Sequence, residues 1–121
     1  MTRTMETQKA KILIIDDDQI TLDLVTKMFG STNTVLTASN GKDGLAMAKK
    51  ERPDLVLLDV LIPDMDGHMV CAQLKATLET ETIPVIFLSA KNQTADELAA
   101  LDLGAIDFIS KPIVPQIVEA R

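Results

Sequence analysis

The chain has 121 residues, 18 acidic against 12 basic, a formal net charge of -6 and 46% hydrophobic residues. That is the size and composition of one globular domain, and it argues against a basic nucleic-acid surface or a surface for anionic membranes. Aromatics are 2%, three Phe with no Trp or Tyr, so the core is aliphatic and aromatic platforms for stacked bases or sugars are lacking.

Residues 1–9 read as a flexible polar tail without the apolar centre of a signal peptide. The first aliphatic run, Lys11-Ile12-Leu13-Ile14-Ile15, predicts a strand. A helix follows, with Ile20, Leu24, Val25, Met28 and Phe29 expected on one face and a stop at Gly30. Thr34-Val35-Leu36-Thr37-Ala38 predicts the second strand, and Leu45, Met47 and Ala48 mark a helix ending at Lys49-Lys50. Asp54-Leu55-Val56-Leu57-Leu58 predicts the third strand, and Val70, Cys71 and Leu74 mark the third helix. Pro84-Val85-Ile86-Phe87-Leu88 predicts the fourth strand. The capping box Thr94-Ala95-Asp96-Glu97 then opens a helix that carries Leu98 and Leu101 and closes at Gly104. Ala105-Ile106-Asp107-Phe108-Ile109 predicts the fifth strand, and Val114 to Arg121 a helix cut short.

Most of the strand runs are continuous and not alternating, the pattern of strands buried on both faces. Strands alternating with helices imply right-handed crossovers and an α/β fold with a doubly wound parallel sheet, a single domain over residues 10–121. Apolar runs fall far short of the roughly 20 residues that span a membrane. The single cysteine, Cys71, cannot form an internal disulfide, and with one His in the chain a Cys/His zinc site is excluded. A reducing cytoplasmic location is expected.

Ligands of such sheets bind beyond the carboxyl ends of the strands. Those ends carry Asp16-Asp17-Asp18, Ser39-Asn40, Asp59, Ser89-Ala90 and Ser110-Lys111-Pro112. Asp16, Asp17 and Asp59 converge if the first and third strands are neighbours. Clustered carboxylates repel, and a hard divalent cation removes the conflict. An acidic metal site with one central carboxylate, a hydroxyl at Ser89 and a lysine at Lys111 suits a phosphoryl group carried on an aspartate.

These pieces, in order and spacing, resemble a receiver domain of two-component response regulators. The matching segments are Ile14 to Asp18, Pro53 to Asp59, Pro63-Asp64-Met65-Asp66-Gly67, Pro84 to Ala90 and Gly104 to Pro112, so that the likeness covers about residues 10 to 121. The resemblance implies a flavodoxin-like (βα)5 fold with strand order 2-1-3-4-5. It implies that Asp59 is the phosphoacceptor, served by a sensor histidine kinase or a histidine phosphotransfer protein. Mg²⁺, or Mn²⁺ in its place, would be held by Asp16, Asp17, Asp59 and the backbone carbonyl of Leu61. Ser89 would meet the phosphoryl oxygens, and Lys111, before an expected cis Pro112, would pair with them. Phe108 would be the switch aromatic that turns inward as Ser89 is drawn to the phosphate, remodelling the face of helix four, strand five and helix five. Leu61 and Lys91, two residues beyond Asp59 and Ser89, match positions that tune the lifetime of the phosphorylated form. Receivers commonly form homodimers through the switched face. The chain stops within the family's last helix, which reads as a cut within a longer protein with an output domain beyond Arg121. Pro112 to Val118, with Ala120-Arg121, is similar to receivers joined to cyclic-dinucleotide enzymes.

Plainer roles compete at several positions. Asp18 is assigned to capping the first helix, not to metal. Asp64, Asp66 and Gly67 read as a turn, since a calcium loop would need acids where Ile62 and Gln73 stand. His68 is expected to be exposed, Cys71 half-buried, and Phe108, its switch role aside, a core aromatic. Lys49, Lys50 and Arg52 are expected at a solvated helix end, and Glu79, Glu81, Asp96 and Glu97 on the surface.

A haloacid-dehalogenase-like phosphatase wants a second Asp two residues after its nucleophile, where this chain has Leu61, and it usually carries a cap domain. A nucleotide-binding protein would need a phosphate loop, and no G-x-x-x-x-G-K-[ST] run occurs. An unphosphorylated pseudo-receiver is disfavoured by the complete set Asp16, Asp17, Asp59, Ser89 and Lys111.

Overall fold

The computed structural model describes residues 10–60, 62, 64–89 and 107–110, with Ser89 and residues 107–110 described by backbone alone. In chain order these form β1 (Lys11–Ile15), α1 (Gln19–Phe29), β2 (Thr34–Ala38), α2 (Gly41–Glu51), β3 (Leu55–Asp59), α3 (Gly67–Ala76), β4 (Val85–Ser89) and β5 (Asp107–Ser110). The strands make one parallel sheet of order β2-β1-β3-β4-β5, the flavodoxin-like order. The helices expected at 94–104 and after 114, and the tail before Ala10, lie outside the described residues.

Alternation along the central strands sorts the core into two layers. Ile12 and Ile14 of β1, with Leu57 of β3 and Ile86 and Leu88 of β4, pack beneath Leu22 and Val25 of α1. Leu13 and Ile15, with Val56, Leu58, Val85 and Phe87, face the other way, toward Ala48 of α2 and Val70, Cys71 and Leu74 of α3. Leu13, Val56 and Phe87 are fully enclosed. Truncating a Leu in such a setting costs about 2–5 kcal/mol.

β1 and β3 are buried on both faces, as their unbroken apolar runs predict. β2 is not: it is the sheet edge, with Thr34 and Thr37 exposed and Val35 and Leu36 half-covered. The first helix also differs from expectation. Ile20 is 77% exposed, and Thr21 is buried in its place. The cap explains the phase. Asp18 accepts from the Ile20 amide at 3.1 Å and the Thr21 hydroxyl at 3.0 Å, which turns Thr21 toward the sheet and Ile20 outward. Because helical positions advance by about 100°, Leu22 and Val25 then follow Thr21 onto the sheet, and Ile20 lies opposite Leu22.

Among the described residues each helix begins on an Asx cap: Asp18, Asn40 and Asp66 accept from the amides of Ile20, Asp43 and His68. α2 ends at Arg52, which takes a left-handed conformation at φ 48 without being glycine. The following Pro53 disfavours further helix, and the left-handed residue turns the chain toward β3.

Candidate functional site

The chain leaves β1 toward β2 on one side and leaves β3 toward β4 on the other, so a crevice opens beyond the carboxyl ends of β1 and β3. Asp16 follows β1 directly. Its amide donates to the Ala38 carbonyl at 3.0 Å, extending the β1–β2 ladder by one residue. Asp59 is the last residue of β3, and the ladder continues past it as Val60 donates to the Leu88 carbonyl at 3.1 Å. The backbone therefore fixes where both carboxylates emerge.

Ligand oxygens of Asp16, Asp17 and Asp59 all lie within 4.8 Å of one another. Asp16 and Asp59 are buried, and Asp17 is exposed. Three carboxylates so close repel unless a cation offsets them. The donor set is all oxygen, without thiolate or imidazole, which suits a hard divalent cation. Asp18, the third of the run, turns away to cap α1, and its own amide donates to Asp16 Oδ1 at 2.9 Å.

The segment after Asp59 is tied down at several points. The Gly67 amide donates to the Val60 carbonyl at 2.8 Å. Asp66 caps α3, accepting from the His68 amide at 2.8 Å. Asp64 does something the sequence did not reveal: it reaches the start of α2. Its two carboxylate oxygens accept from the amides of Gly41 at 2.7 Å and Lys42 at 2.9 Å. Those two amides hold its carboxyl below the ordinary value of 3.8. Since the contact joins positions 23 and 22 residues apart, no local pattern announces it.

Other expectations meet mixed outcomes. The strand register pairs Asp59 with Leu88, so Ser89 stands one residue further along the neighbouring strand, itself in register with Ser110. Phe108 lies in β5, in register with Phe87. Leu61, Lys91, Lys111 and Pro112 lie outside the described residues. His68 is not exposed: its side chain is 18% accessible, packed 5.2 Å from the Phe87 ring centroid and 3.2 Å from the Asp66 carboxylate. Helix α3 starts over the sheet, so Gly67 and Val70 of its first turn are buried and His68 is partly covered, while Met69 faces outward. Cys71 is fully enclosed rather than half-buried, because α3 turns it with Val70 and Leu74 onto the sheet, and burial raises its thiol pKa. Lys49, Lys50, Arg52, Glu79 and Glu81 are exposed, as expected. A cleft of about 500 Å³ between α1 and α2 is lined by Leu22, Leu36 and Met47 and does not include the carboxylate cluster.

The family model described as the response regulator receiver domain matches residues 12–121. The chain belongs to this family. Among curated relatives of the receiver is the alkaline phosphatase synthesis transcriptional regulatory protein PhoP of Bacillus subtilis. It is 39% identical over 112 residues, which cover 92% of this chain and 46% of PhoP. The receiver spans about half the length of the first curated relatives it matches. DrrB of Thermotoga maritima, a solved OmpR/PhoB homologue, is 31% identical with a TM-score of 0.82, covering 94% of this chain and 51% of that one. The chemotaxis protein CheY4 of Vibrio cholerae, at 24% identity and a TM-score of 0.87, covers 93% of this chain and 95% of its own and shares the fold. Both the expected family and the expected fold are thereby established, and the dehalogenase-like alternative is not favoured.

Proposed function

We propose that this receiver carries a phosphoryl group on Asp59, taken from a phosphohistidine of a sensor kinase or a histidine phosphotransfer protein. The observation that supports it most is the group of Asp16, Asp17 and Asp59 oxygens within 4.8 Å at the crevice of a receiver fold. An Asp59 oxygen attacks phosphorus and forms a P–O bond as the P–N bond to the donor imidazole breaks. The imidazole leaves with the bonding pair and a proton from solvent, and Asp59 becomes an acyl phosphate.

Asp16, Asp17, Asp59 and the carbonyl of Leu61 would hold the cation, Mg²⁺ or Mn²⁺. When bound, it offsets negative charge on the transferring group. Asp16 and Asp17 contribute carboxylate oxygens at the crevice, and Asp59 presents one at the end of a rigid strand. Ser89 orients the phosphoryl oxygens by its hydroxyl, Lys111 pairs with them, and Phe108 turns inward as the switch. Phosphorylation then biases a two-state surface of helix four, strand five and helix five, through which copies of the receiver also pair. The domain runs over 10–121, with 1–9 as a tail and an output domain beyond Arg121. PhoP's name favours control of transcription as that output over a cyclic-dinucleotide enzyme. Among the described residues no helix is long and apolar enough to cross a membrane, in keeping with a cytoplasmic role.

Incubation with acetyl phosphate and Mg²⁺, followed by intact mass, tests the reading. A gain of one phosphoryl group that is lost in Asp59→Asn and on chelation supports it. A gain that persists in either case removes it. No gain, together with no response to beryllofluoride, makes the chain a pseudo-receiver.

A further inference from the structure

The stretch from Asp64 to Gly67 touches two separate parts of the fold. At one end Asp64 grips the first two amides of α2, and Met65 packs against Gly41 on the same turn. A Cβ at Gly41 would sit 2.5 Å from Met65 Cγ and 3.0 Å from Val70 Cγ2, so the absence of a side chain there is what lets the loop close down. At the other end Gly67 lies against the backbone of Asp59 and Val60 and donates to the Val60 carbonyl. Between these ends lies only the Asp66 cap of α3. A displacement of Asp64 is thus passed along four residues to the backbone of the proposed phosphoacceptor.

The bond set at Asp64 is strong for its place. An ionised carboxylate accepting two amides at a helix N-terminus gains from charge-assisted hydrogen bonds and from the positive end of the helix dipole. Asn40 already caps α2 through the Asp43 amide, so the helix does not need Asp64 in order to begin. What Asp64 adds is an anchor for its own loop. The lowered pKa of its carboxyl follows from the same two bonds.

We infer that Asp64 is a positioning residue for the acidic site: by clamping the segment after Asp59 to the start of α2, it holds the Asp59 backbone where the three carboxylates can share one cation. This rests on the phosphoacceptor reading above, so the experiment separates the two. Metal binding is read without chemistry, by Mg²⁺ titration of the Val60 and Gly67 amide resonances in parent, Asp64→Ala, Asp64→Asn and Lys42→Pro. Lys42→Pro removes one of the two donors at a first-turn position where proline is tolerated, and it leaves Asp64 intact.

Groups that orient metal ligands typically change affinity by about 10–100-fold when removed. Acting one step further out, Asp64→Ala should raise the half-saturating Mg²⁺ about three- to tenfold. Asp64→Asn, which keeps one acceptor, and Lys42→Pro should each give a smaller rise. The double variant Asp64→Ala/Lys42→Pro should be no worse than Asp64→Ala, since both break one clamp. The Gly41 amide should exchange with solvent faster in Asp64→Ala. Acetyl phosphate labelling should recover to within about twofold of the parent at saturating Mg²⁺, a split that general unfolding would not produce.

An unchanged half-saturation in Asp64→Ala despite faster Gly41 exchange overturns the inference, and so does unchanged exchange. If Asp64→Ala does not fold, Asp64→Asn and Lys42→Pro decide by the same reading. If the parent itself neither responds to Mg²⁺ nor is labelled, the phosphoacceptor reading is what fails.

Discussion

Gly67 lies directly against Asp59: a Cβ at Gly67 would overlap the Asp59 carbonyl oxygen and sit 2.8 Å from Val60 Cα and 2.9 Å from its oxygen. The three nearest atoms it would meet are all backbone, so no rotamer change makes room. Gly67→Ala should therefore destabilise the fold by about 1–3 kcal/mol and push β3's end away from β1. The urea midpoint should fall, and acetyl phosphate labelling of Asp59 should slow. A midpoint equal to the parent's would show that the loop yields freely.

Metal and stability are linked through the carboxylate cluster. A cation that binds only the folded state adds about 2.7 kcal/mol at a concentration 100 times its dissociation constant. Mg²⁺ should raise the melting temperature and a chelator should reverse the rise. In Asp17→Asn the rise should shrink, because one ligand is lost. Without metal this variant should melt slightly above the parent, because one of three mutually repelling charges is gone. Calorimetry with Mg²⁺ and with chelator measures all four states.

Asp16, Asp17 and Asp18 are adjacent and chemically identical, yet their roles separate. Asp18→Ala removes the α1 cap bonds to Ile20 and Thr21 and should cost about 1 kcal/mol. Its Mg²⁺ affinity should stay within about twofold of the parent's, since Asp18 is not in the oxygen cluster. Chemical denaturation and a Mg²⁺ titration on one sample check both parts.

The acid limb of the stability curve should carry a contribution from Asp64. Its folded carboxyl titrates below the ordinary 3.8, the Gly41 and Lys42 amides favouring the charged form. A depressed carboxyl adds stability above its unfolded value and loses it as pH falls through the folded value. Parent stability should thus fall below about pH 4 more steeply than that of Asp64→Asn, and the two curves should converge in stronger acid. Urea midpoints measured between neutral pH and strong acid check this.

Much of this was legible in the residues. The continuous runs at 11–15 and 54–58 read as strands buried on both faces, and core side chains do cover both faces there, whereas the run at 34–38 turned out to be the sheet edge. The acidic strand ends, with Asp18 as a helix cap, were readable because strand termini and caps are local features. Phase was harder. Ile20 had the hydrophobicity of a core residue, but the Asp18 cap set the helix rotation and put Thr21 inside. His68 and Cys71 lie deeper than their sequence suggests, since how far α3 sits on the sheet depends on Gly67's approach to Asp59 and on Phe87 beneath.

The sequence by itself determined the elements, their alternation and hence the edge of the sheet where carboxylates gather, because periodicity and capping act over a few residues. The tertiary structure alone decided that β1 and β3 are neighbours, so that the three carboxylates meet, and that Asp64 does other work. Asp64 stands five residues after Asp59, the end of β3, and it grips the amides of a distant helix while Asp59 joins the cluster with Asp16 and Asp17. Such a division depends on which strands are neighbours and how closely helices approach, and those distances are set by packing across the whole sheet.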